Sequence, residues 1–271
     1  MTASSQSFVR DGAALHIDDS GGSGLPVIFQ HGLSGDAQQT EEVFPGDRRF
    51  RRITLECRGH GASEPGDSAQ FSIATFAGDV AALIDARELA PLVVGGISMG
   101  ASIALRLAVR RKDIVRGLIL ARPAWATEAA PKNMTAAAEV GRLIATLPAQ
   151  EARKKFLASD TAQAFADRAP DNLATLEGWF ARKPLAITAA LLQRISADGP
   201  GVSEDELRAI RVPTLMIAHG RDIFHPLTLA ESLASLIPGS RLVTITAKAD
   251  DRARYVSDFR AALSAFLKDF L

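Results

Sequence analysis

A serine lies between two glycines in the segment Gly96-Ile97-Ser98-Met99-Gly100. An apolar run, Leu92-Val93-Val94, precedes the segment, and a helical pattern follows it. This is the strand, tight turn and helix context that a G-x-S-x-G turn requires. The turn exposes the serine hydroxyl at the start of a helix, where developing negative charge is stabilised. The segment therefore predicts Ser98 as a nucleophile.

Acyl transfer at a serine also needs two N–H groups that bind the oxygen of the tetrahedral intermediate. The amide of Met99, directly after the nucleophile, is predicted to be one of them. The other is predicted to be the amide of Leu33, at the end of a turn that follows the first core strand. His31, in the same turn, is interpreted as a residue that shapes the turn and not as a base.

An aspartate, Asp222, follows the apolar run Leu215-Met216-Ile217. In open α/β folds the sites form at the carboxyl ends of the strands. An acid at this place would orient an imidazole and stabilise the imidazolium formed during proton transfer. The competing interpretation is an aspartate that only caps its loop.

Short β-branched runs alternate with longer helical patterns along the chain, which indicates parallel strands joined by crossover helices. The predicted fold class is α/β, with a mostly parallel, doubly wound sheet. An entry hairpin is predicted to turn at Asp11-Gly12. The further strands are predicted at 27–30, 53–55, 92–94, 118–120, 215–217 and 242–245, and helices at about 73–88, 98–111, 227–236 and 254–271.

The segment between the strands near 121 and 213 is alanine-rich and helical in pattern. So long an excursion between two core strands predicts a helical cap, inserted before the penultimate strand. The predicted division is a core of residues 1–123 and 206–271 and a cap of residues 124–205. The aromatic side chains of the cap either line a substrate pocket or hold the cap to the core; they are Trp125, Phe156, Phe165, Trp179 and Phe180.

The charge balance argues against nucleic acid or an anionic membrane as partner. The 271 residues contain 31 Lys+Arg and 31 Asp+Glu, so there is no net field that would attract a polyanion. No apolar stretch approaches the roughly 18 residues that span a bilayer. The first seven residues are polar, which predicts no signal peptide.

One cysteine, Cys57, excludes an intrachain disulfide, and we interpret it as a small buried hydrophobe. A cytoplasmic location is the expectation that follows. The sequence shows no metal-ligand cluster, phosphate-binding loop or dinucleotide fingerprint, so no metal and no cofactor are predicted.

These motifs together resemble the α/β-hydrolase superfamily, in its esterase- and lipase-like serine hydrolase branch, along essentially the whole chain. The landmarks that match are His31-Gly32-Leu33, the loop Arg58-Gly59-His60-Gly61-Ala62-Ser63, the turn around Ser98, and Gly220-Arg221-Asp222 before Pro226. The resemblance implies an esterase-like fold with Ser98 as nucleophile and the Leu33 and Met99 amides as oxyanion hole. It also implies Asp222 as the acid of a catalytic triad and a structural role for His60.

The general base is where this chain departs from the superfamily, which places its catalytic histidine in the loop after the final core strand. Residues 247–252 contain no histidine. One hypothesis makes His225 the base, because it lies three residues after Asp222 and within about 10 Å of it even in an extended chain.

A second hypothesis makes Lys248 the base of a Ser–Lys pair. This role needs a lowered pKa, which Asp250 and Asp251 nearby would oppose. A third hypothesis is a site without an efficient base, in which Ser98 is a weak nucleophile. His219 also lies close enough in sequence to contact the site, although a strand end more often carries a packed histidine.

The leading prediction is a serine hydrolase acting on a small ester, lactone or related acyl compound through an acyl-enzyme at Ser98. Its triad would be Ser98, His225 and Asp222, and its partner a small-molecule substrate. The alternative is a non-catalytic or weakly active ligand-binding protein on the same fold. A serine nucleophile argues against haloalkane dehalogenase or epoxide hydrolase chemistry, for which the superfamily uses an aspartate.

Overall fold

A computed structural model describes residues 6–271, and most of the N-terminal stretch that was judged for a signal peptide lies outside these residues. Eight strands form one sheet in the order β1-β2-β4-β3-β5-β6-β7-β8. The strands are β1 (Gln6–Arg10), β2 (Ala13–Asp19), β3 (Leu25–Gln30), β4 (Phe50–Leu55), β5 (Leu92–Ile97), β6 (Val115–Ala121), β7 (Thr214–Ala218) and β8 (Arg241–Thr244).

The sheet is parallel except at one edge. β1 and β2 form the predicted antiparallel hairpin, in which Phe8 pairs with Leu15, and β2 pairs antiparallel with β4. All pairs from β4 to β8 are parallel, including β3 with β5 and β6 with β7. The fold class is confirmed: a mostly parallel α/β sheet of the α/β-hydrolase type.

Eleven α-helices lie within residues 6–271. They are α1 (Ala37–Val43), α2 (Ile73–Ala86), α3 (Met99–Arg110), α4 (Thr135–Thr146), α5 (Ala149–Leu157), α6 (Asp160–Arg168), α7 (Pro170–Trp179), α8 (Leu185–Ser196), α9 (Glu204–Arg208), α10 (Leu227–Leu236) and α11 (Arg252–Leu267). The four helices that the sequence predicts correspond to α2, α3, α10 and α11, whereas α1 is not predicted.

Alternate residues of the central strands face opposite layers of helices, as the two-residue period of a strand requires. In β3, Ile28 packs into the cluster under α2 and α3, whereas Val27 and Phe29 pack against α11. Phe259 of α11 is fully buried there, with its ring edge-on to Phe29. Burial on both faces explains the nearly continuous apolar runs in the strand sequences.

Six helices, α4 to α9, lie between β6 and β7. Their largest mutual contact is between α4 and α8, where Gly141 of α4 allows close approach to Leu192 of α8. The helical character of this segment is as the sequence predicts. Its treatment as a separate cap with boundaries at 124 and 205 stays a prediction.

No helix in the part of the chain that the structure describes combines the length and the apolar character that crossing a membrane requires. The cytoplasmic location stays a prediction. Cys57 is buried, and burial raises the pKa of its thiol well above the ordinary value.

Candidate active site

Ser98 lies at the junction of β5 and α3 and has a backbone conformation that residues other than glycine rarely adopt. Its φ is +56° and its ψ is −112°, and it directly precedes the first residue of α3. Gly96 makes this turn possible, because a Cβ there would lie 2.5 Å from the carbonyl carbon of Gly100. A contact with the neighbouring strand β6 stabilises this strained conformation, because the Ser98 amide donates to the Ala121 carbonyl at 2.9 Å.

The loop after β7 brings an acid and an imidazole to this serine. His225 Nε2 lies 2.8 Å from Ser98 Oγ, and His225 Nδ1 lies 2.9 Å from Asp222 Oδ2. The other carboxylate oxygen of Asp222 accepts from the backbone amide of His225 at 3.1 Å. The three residues that the sequence singles out therefore form one hydrogen-bonded chain.

The helical segment before β7 fixes the position of this loop. Asn172 of α7 is buried, and its Oδ1 accepts from the amides of Ile223 and Phe224 at 2.9 and 3.3 Å. Asn133 Nδ2 donates to the Phe224 carbonyl at 2.6 Å. Residues between β6 and β7 thus bind three backbone groups of the loop, namely the amides of Ile223 and Phe224 and the carbonyl of Phe224. Asp222 itself binds a fourth, the amide of His225.

A guanidinium group shares the carboxylate of Asp222 with His225. Arg122, the residue after β6, donates to Asp222 Oδ2 from Nε at 2.8 Å and from Nη2 at 2.6 Å. Arg122 Nη1 also donates to the hydroxyl of Tyr255 at 3.4 Å, and the residue has a φ of +45°. An ion pair this buried is stable only because its polar atoms have partners.

The charges of this cluster determine the hydrogen positions. Burial raises the pKa of Asp222, but Arg122 and His225 together lower it by more than burial raises it, so the carboxylate stays ionised. An ionised carboxylate only accepts, so His225 carries its proton on Nδ1 and presents the Nε2 lone pair to Ser98. Burial lowers the pKa of His225, Asp222 raises it and Arg122 lowers it, with a net lowering from 6.5.

Two other candidate bases form no hydrogen bond with Ser98 in the described part of the chain. His219 Nε2 lies 3.5 Å from Asp222 Oδ2, but neither ring nitrogen has a hydrogen-bond partner within residues 6–271. Burial, and then the Arg122 charge, lowers the pKa of His219 to about 4. Lys248 lines the same cavity as Ser98 without a hydrogen bond to it.

The pKa of Lys248 is lowered overall, which is the direction that the role of a base requires. Burial, and then the Arg122 charge, lowers the pKa of Lys248 below its ordinary value. Asp250 is taken up by an ion pair with Arg221, and Asp251 caps α11 by accepting from the Arg254 amide. The acids that oppose the lowering are instead Glu42 and Asp171, which come from other elements of the fold.

The two amides predicted for the oxyanion hole lie on the loop and the helix that flank Ser98. Neither the Leu33 amide nor the Met99 amide donates to a protein acceptor within the described residues. The Gly32 amide is bound by Gln39 Oε1 at 2.6 Å, which anchors the turn that carries Leu33. A Cβ at Gly32 would lie 3.3 Å from Ser98 Cβ, so this turn is close to Ser98.

Comparison with known proteins decides the family. Residues 26–248 match the model of the alpha/beta hydrolase fold family. The chain is 30% identical to an AB hydrolase superfamily protein of Bacillus subtilis, over 84% of this chain and 85% of that one. The chain belongs to the alpha/beta hydrolase fold family. It is an enzyme of the hydrolase class.

Two further proteins give the range of this hydrolase's relatives. It is 28% identical to a non-heme haloperoxidase of Rhodococcus erythropolis, over 86% of this chain and 87% of that one. It is also similar to the structure of a thermophilic esterase from Thermogutta terrifontis, with a TM-score of 0.70 and 25% identity, covering 98% of this chain and 99% of the other.

The site of this hydrolase opens into a cavity of about 90 Å³. Ser98 and His225 line it from the core, and Trp179 of α7 lines it from the helical segment, together with Phe224 and Met134. Of the aromatic residues that the sequence offered as pocket-lining or packing, only Trp179 lies in this wall. Trp125, Phe156, Phe165 and Phe180 are buried in the apolar core instead.

The two other histidines of the sequence motifs bind backbone groups of their own loops. His31 accepts from the Cys57 amide at 3.0 Å and lies 2.8 Å from the Gly32 carbonyl, which agrees with its predicted role in shaping the turn. His60 Nδ1 lies 3.0 Å from the Arg58 carbonyl. Both rings are buried and pack at 4.8 Å between centroids.

Three residues around Ser98, His225 and Asp222 belong to no sequence motif. Arg122 binds Asp222, and Gln39 and Asp171 line the cavity. The one signal for Arg122 is its place directly after β6, at the same carboxyl edge of the sheet as Ser98 and Asp222.

Proposed function

We propose that the protein is a serine hydrolase that cleaves a small ester, lactone or related acyl compound through an acyl-enzyme at Ser98. The observation that carries the proposal is the hydrogen-bonded chain from Ser98 Oγ through His225 to Asp222, with contacts of 2.8 and 2.9 Å. An alcohol becomes a useful nucleophile when a base accepts its proton and an acid orients that base.

The acylation step follows from the positions of the protons. Ser98 Oγ attacks the substrate carbonyl while its proton passes to His225 Nε2. The imidazolium that forms is stabilised by Asp222, which already accepts from its Nδ1 side. The oxyanion accepts from the Leu33 and Met99 amides, and it collapses when His225 returns the proton to the leaving alcohol.

Deacylation reverses the roles with water in place of the alcohol. His225 Nε2 removes a proton from water, which attacks the acyl-enzyme carbonyl, and the proton then returns to Ser98 Oγ as the acid leaves. A cavity of about 90 Å³ is small beside the roughly 300–1,000 Å³ of pockets that hold drug-sized ligands, which favours a short acyl group. The segment between β6 and β7 supplies Trp179 and Met134 to this cavity, which supports its proposed role as a cap.

A fluorophosphonate probe tests the proposal, because it labels only serines that are activated for attack. We expect the wild-type protein to be labelled stoichiometrically at Ser98 and Ser98→Ala to remain unlabelled, with intact-protein mass spectrometry as the readout. Ser102→Ala, at another buried serine of α3, is the matched control and should label like wild type. A folded wild-type protein that fails to label would favour the ligand-binding alternative.

A further inference from the structure

A lysine in the wall of the Ser98 cavity has no partner. Lys248 lies in the loop after β8 and lines the cavity together with Ser98 and His225. Within residues 6–271 it takes part in none of the side-chain hydrogen bonds and none of the ion pairs. Burial, and then the positive charge of Arg122, lowers the pKa of its ammonium group. The free enzyme therefore holds an incompletely solvated cation in the wall of the cavity that Ser98 lines.

Lys248 is not part of the hydrogen-bonded series Ser98, His225 and Asp222. Ser98 Oγ is already hydrogen-bonded to His225, so a Ser–Lys pair is not formed. A desolvated charge costs free energy unless it is paired. A group of opposite charge on a bound molecule would supply the missing partner.

The neighbouring acids form no ion pair with Lys248. Asp222 is already paired with Arg122, and Glu42 is paired with Arg252. Asp171 of α7 also lines the cavity, but its Oδ1 is buried without a hydrogen-bond partner and it forms no ion pair with Lys248. Lys248 and Asp171 thus line the same cavity without an ion pair between them.

We propose that the substrates of this enzyme carry a carboxylate, which pairs with Lys248 while Ser98 attacks an ester or lactone carbonyl of the same molecule. This inference rests on the proposed function of Ser98 and names its substrate class. A short dicarboxylic acid hemiester has both groups, and the small volume of the cavity favours a spacing of a few carbon atoms between them. Asp171 opposes this anion, so its charge limits the preference and does not create it.

Competition against fluorophosphonate labelling measures the preference directly, whether or not the competitor is turned over. The two probes are monomethyl succinate and methyl succinamate, which differ in a carboxylate against a neutral amide of nearly equal size. We expect the hemiester to protect Ser98 at a concentration about ten- to a hundred-fold lower than the amide does, because an ion-paired hydrogen bond is stronger than a neutral one. Lys248→Met should remove this difference.

Three further variants keep the test decisive. Lys248→Arg should retain the preference, and Asp171→Asn should enlarge it, because each keeps or increases the positive potential of the cavity. Lys132→Met is the control, since Lys132 is exposed and is two residues from Met134 in the cavity wall. Equal protection by both probes, or a preference that persists in Lys248→Met, would overturn the proposal. A wild-type protein that is not labelled even without a competitor would instead count against Ser98 as the nucleophile.

Discussion

Arg122 and His225 contact the same oxygen of Asp222, and this shared contact sets the chemistry of the site at the scale of residues. The carboxylate orients His225 and stabilises its charged form. The guanidinium, 3.3 Å from His225 Nδ1, works against that charged form. Burial is the largest cause that lowers the pKa of His225, and burial and Arg122 together outweigh Asp222. The oriented imidazole is therefore kept neutral to a lower pH than a free histidine.

The identity of the base gives the first prediction. His225→Asn should lower kcat by about a hundred-fold or more, because proton transfer by a positioned side chain contributes about that factor. Steady-state hydrolysis of monomethyl succinate at pH 8 measures the effect. His219→Asn, a change of the other histidine near Asp222, should keep most of the turnover. The reverse ranking of the two variants would make His219 the base.

The pH dependence of Arg122→Gln gives the second prediction. His225 must be neutral to accept the proton of Ser98, so kcat/KM falls as the pH drops below the His225 pKa. The positive charge of Arg122 lowers that pKa. Removing it raises the pKa, and the acidic limb of the profile should move to higher pH in Arg122→Gln.

Arg221→Gln is the control for this prediction, since Arg221 lies in the same loop but pairs with Asp250, away from the triad. Its profile should coincide with that of the wild type. An acidic limb that stays in place in Arg122→Gln would show that the guanidinium does not influence the base.

The sequence predicts some of these residues and not others, for a physical reason. Ser98 lies in a motif whose strand, turn and helix are contiguous in sequence. His225 lies three residues from Asp222, so local geometry is enough to bring His225 and Asp222 together. Arg122 reaches Asp222 across 100 residues of chain. Such a contact depends on the order of the strands in the sheet, which local pattern does not specify.

At the scale of elements, the helices between β6 and β7 do more than cover the site. Asn172 of α7 binds two successive amides of the loop that carries Asp222 and His225. The position of the base relative to Ser98 therefore depends on the docking of α7. A pattern of helical residues predicts that this segment exists, but it does not predict which of its side chains reach the core.

Asn172→Ala should slow the reaction through this contact. Two buried amides would lose their acceptor, and the loop would shift or gain mobility. We expect the fluorophosphonate labelling rate to fall about ten-fold or more, since small misplacements of a catalytic group are costly. Asn133→Ala removes a donor to the same loop and should act in the same direction. An unchanged labelling rate in a folded Asn172→Ala protein would contradict this role of α7.

The missed helix α1 shows a limit of pattern reading. Its seven residues bury only Ala37, Thr40 and Val43, and the remainder are polar or acidic. One apolar position in each turn is too weak a signal to separate a short helix from a loop. Its start is instead fixed by Asp36, whose side chain accepts from the Gln38 amide.

At the scale of the whole molecule, four of the five histidines are buried in the hydrolase core. They are His31, His60, His219 and His225. Burial is the leading cause that lowers the pKa of each of them. Each favours the neutral ring in the folded state, although only His225 contacts Ser98.

These histidines predict a protein that is unstable to mild acid. Their pKa values in the folded protein lie below the unfolded value of about 6.5, so the unfolded chain binds more protons between the folded and unfolded pKa values. The stabilisation that the neutral rings contribute is complete above about pH 6.5. It is lost as the pH falls towards the folded pKa values, and that of His219 is about 4. We expect Tm to fall by about 5 °C or more between pH 7.5 and pH 5.

A variant at one histidine checks the cause of this loss. His60→Gln removes a titrating ring that does not reach Ser98 and retains a donor for the Arg58 carbonyl. Its Tm should vary less with pH than the wild-type Tm over the same range. A wild-type Tm that is constant from pH 7.5 to pH 5 would show that the buried rings contribute nothing to acid unfolding.

The proposed acid and base both lie in the loop after β7, and this has a consequence for engineering. Residues 246–251 contribute no member of the proposed triad, yet Lys248 lines the cavity. A library of substitutions at these positions should therefore vary the choice of substrate and leave Ser98, His225 and Asp222 unchanged in every variant.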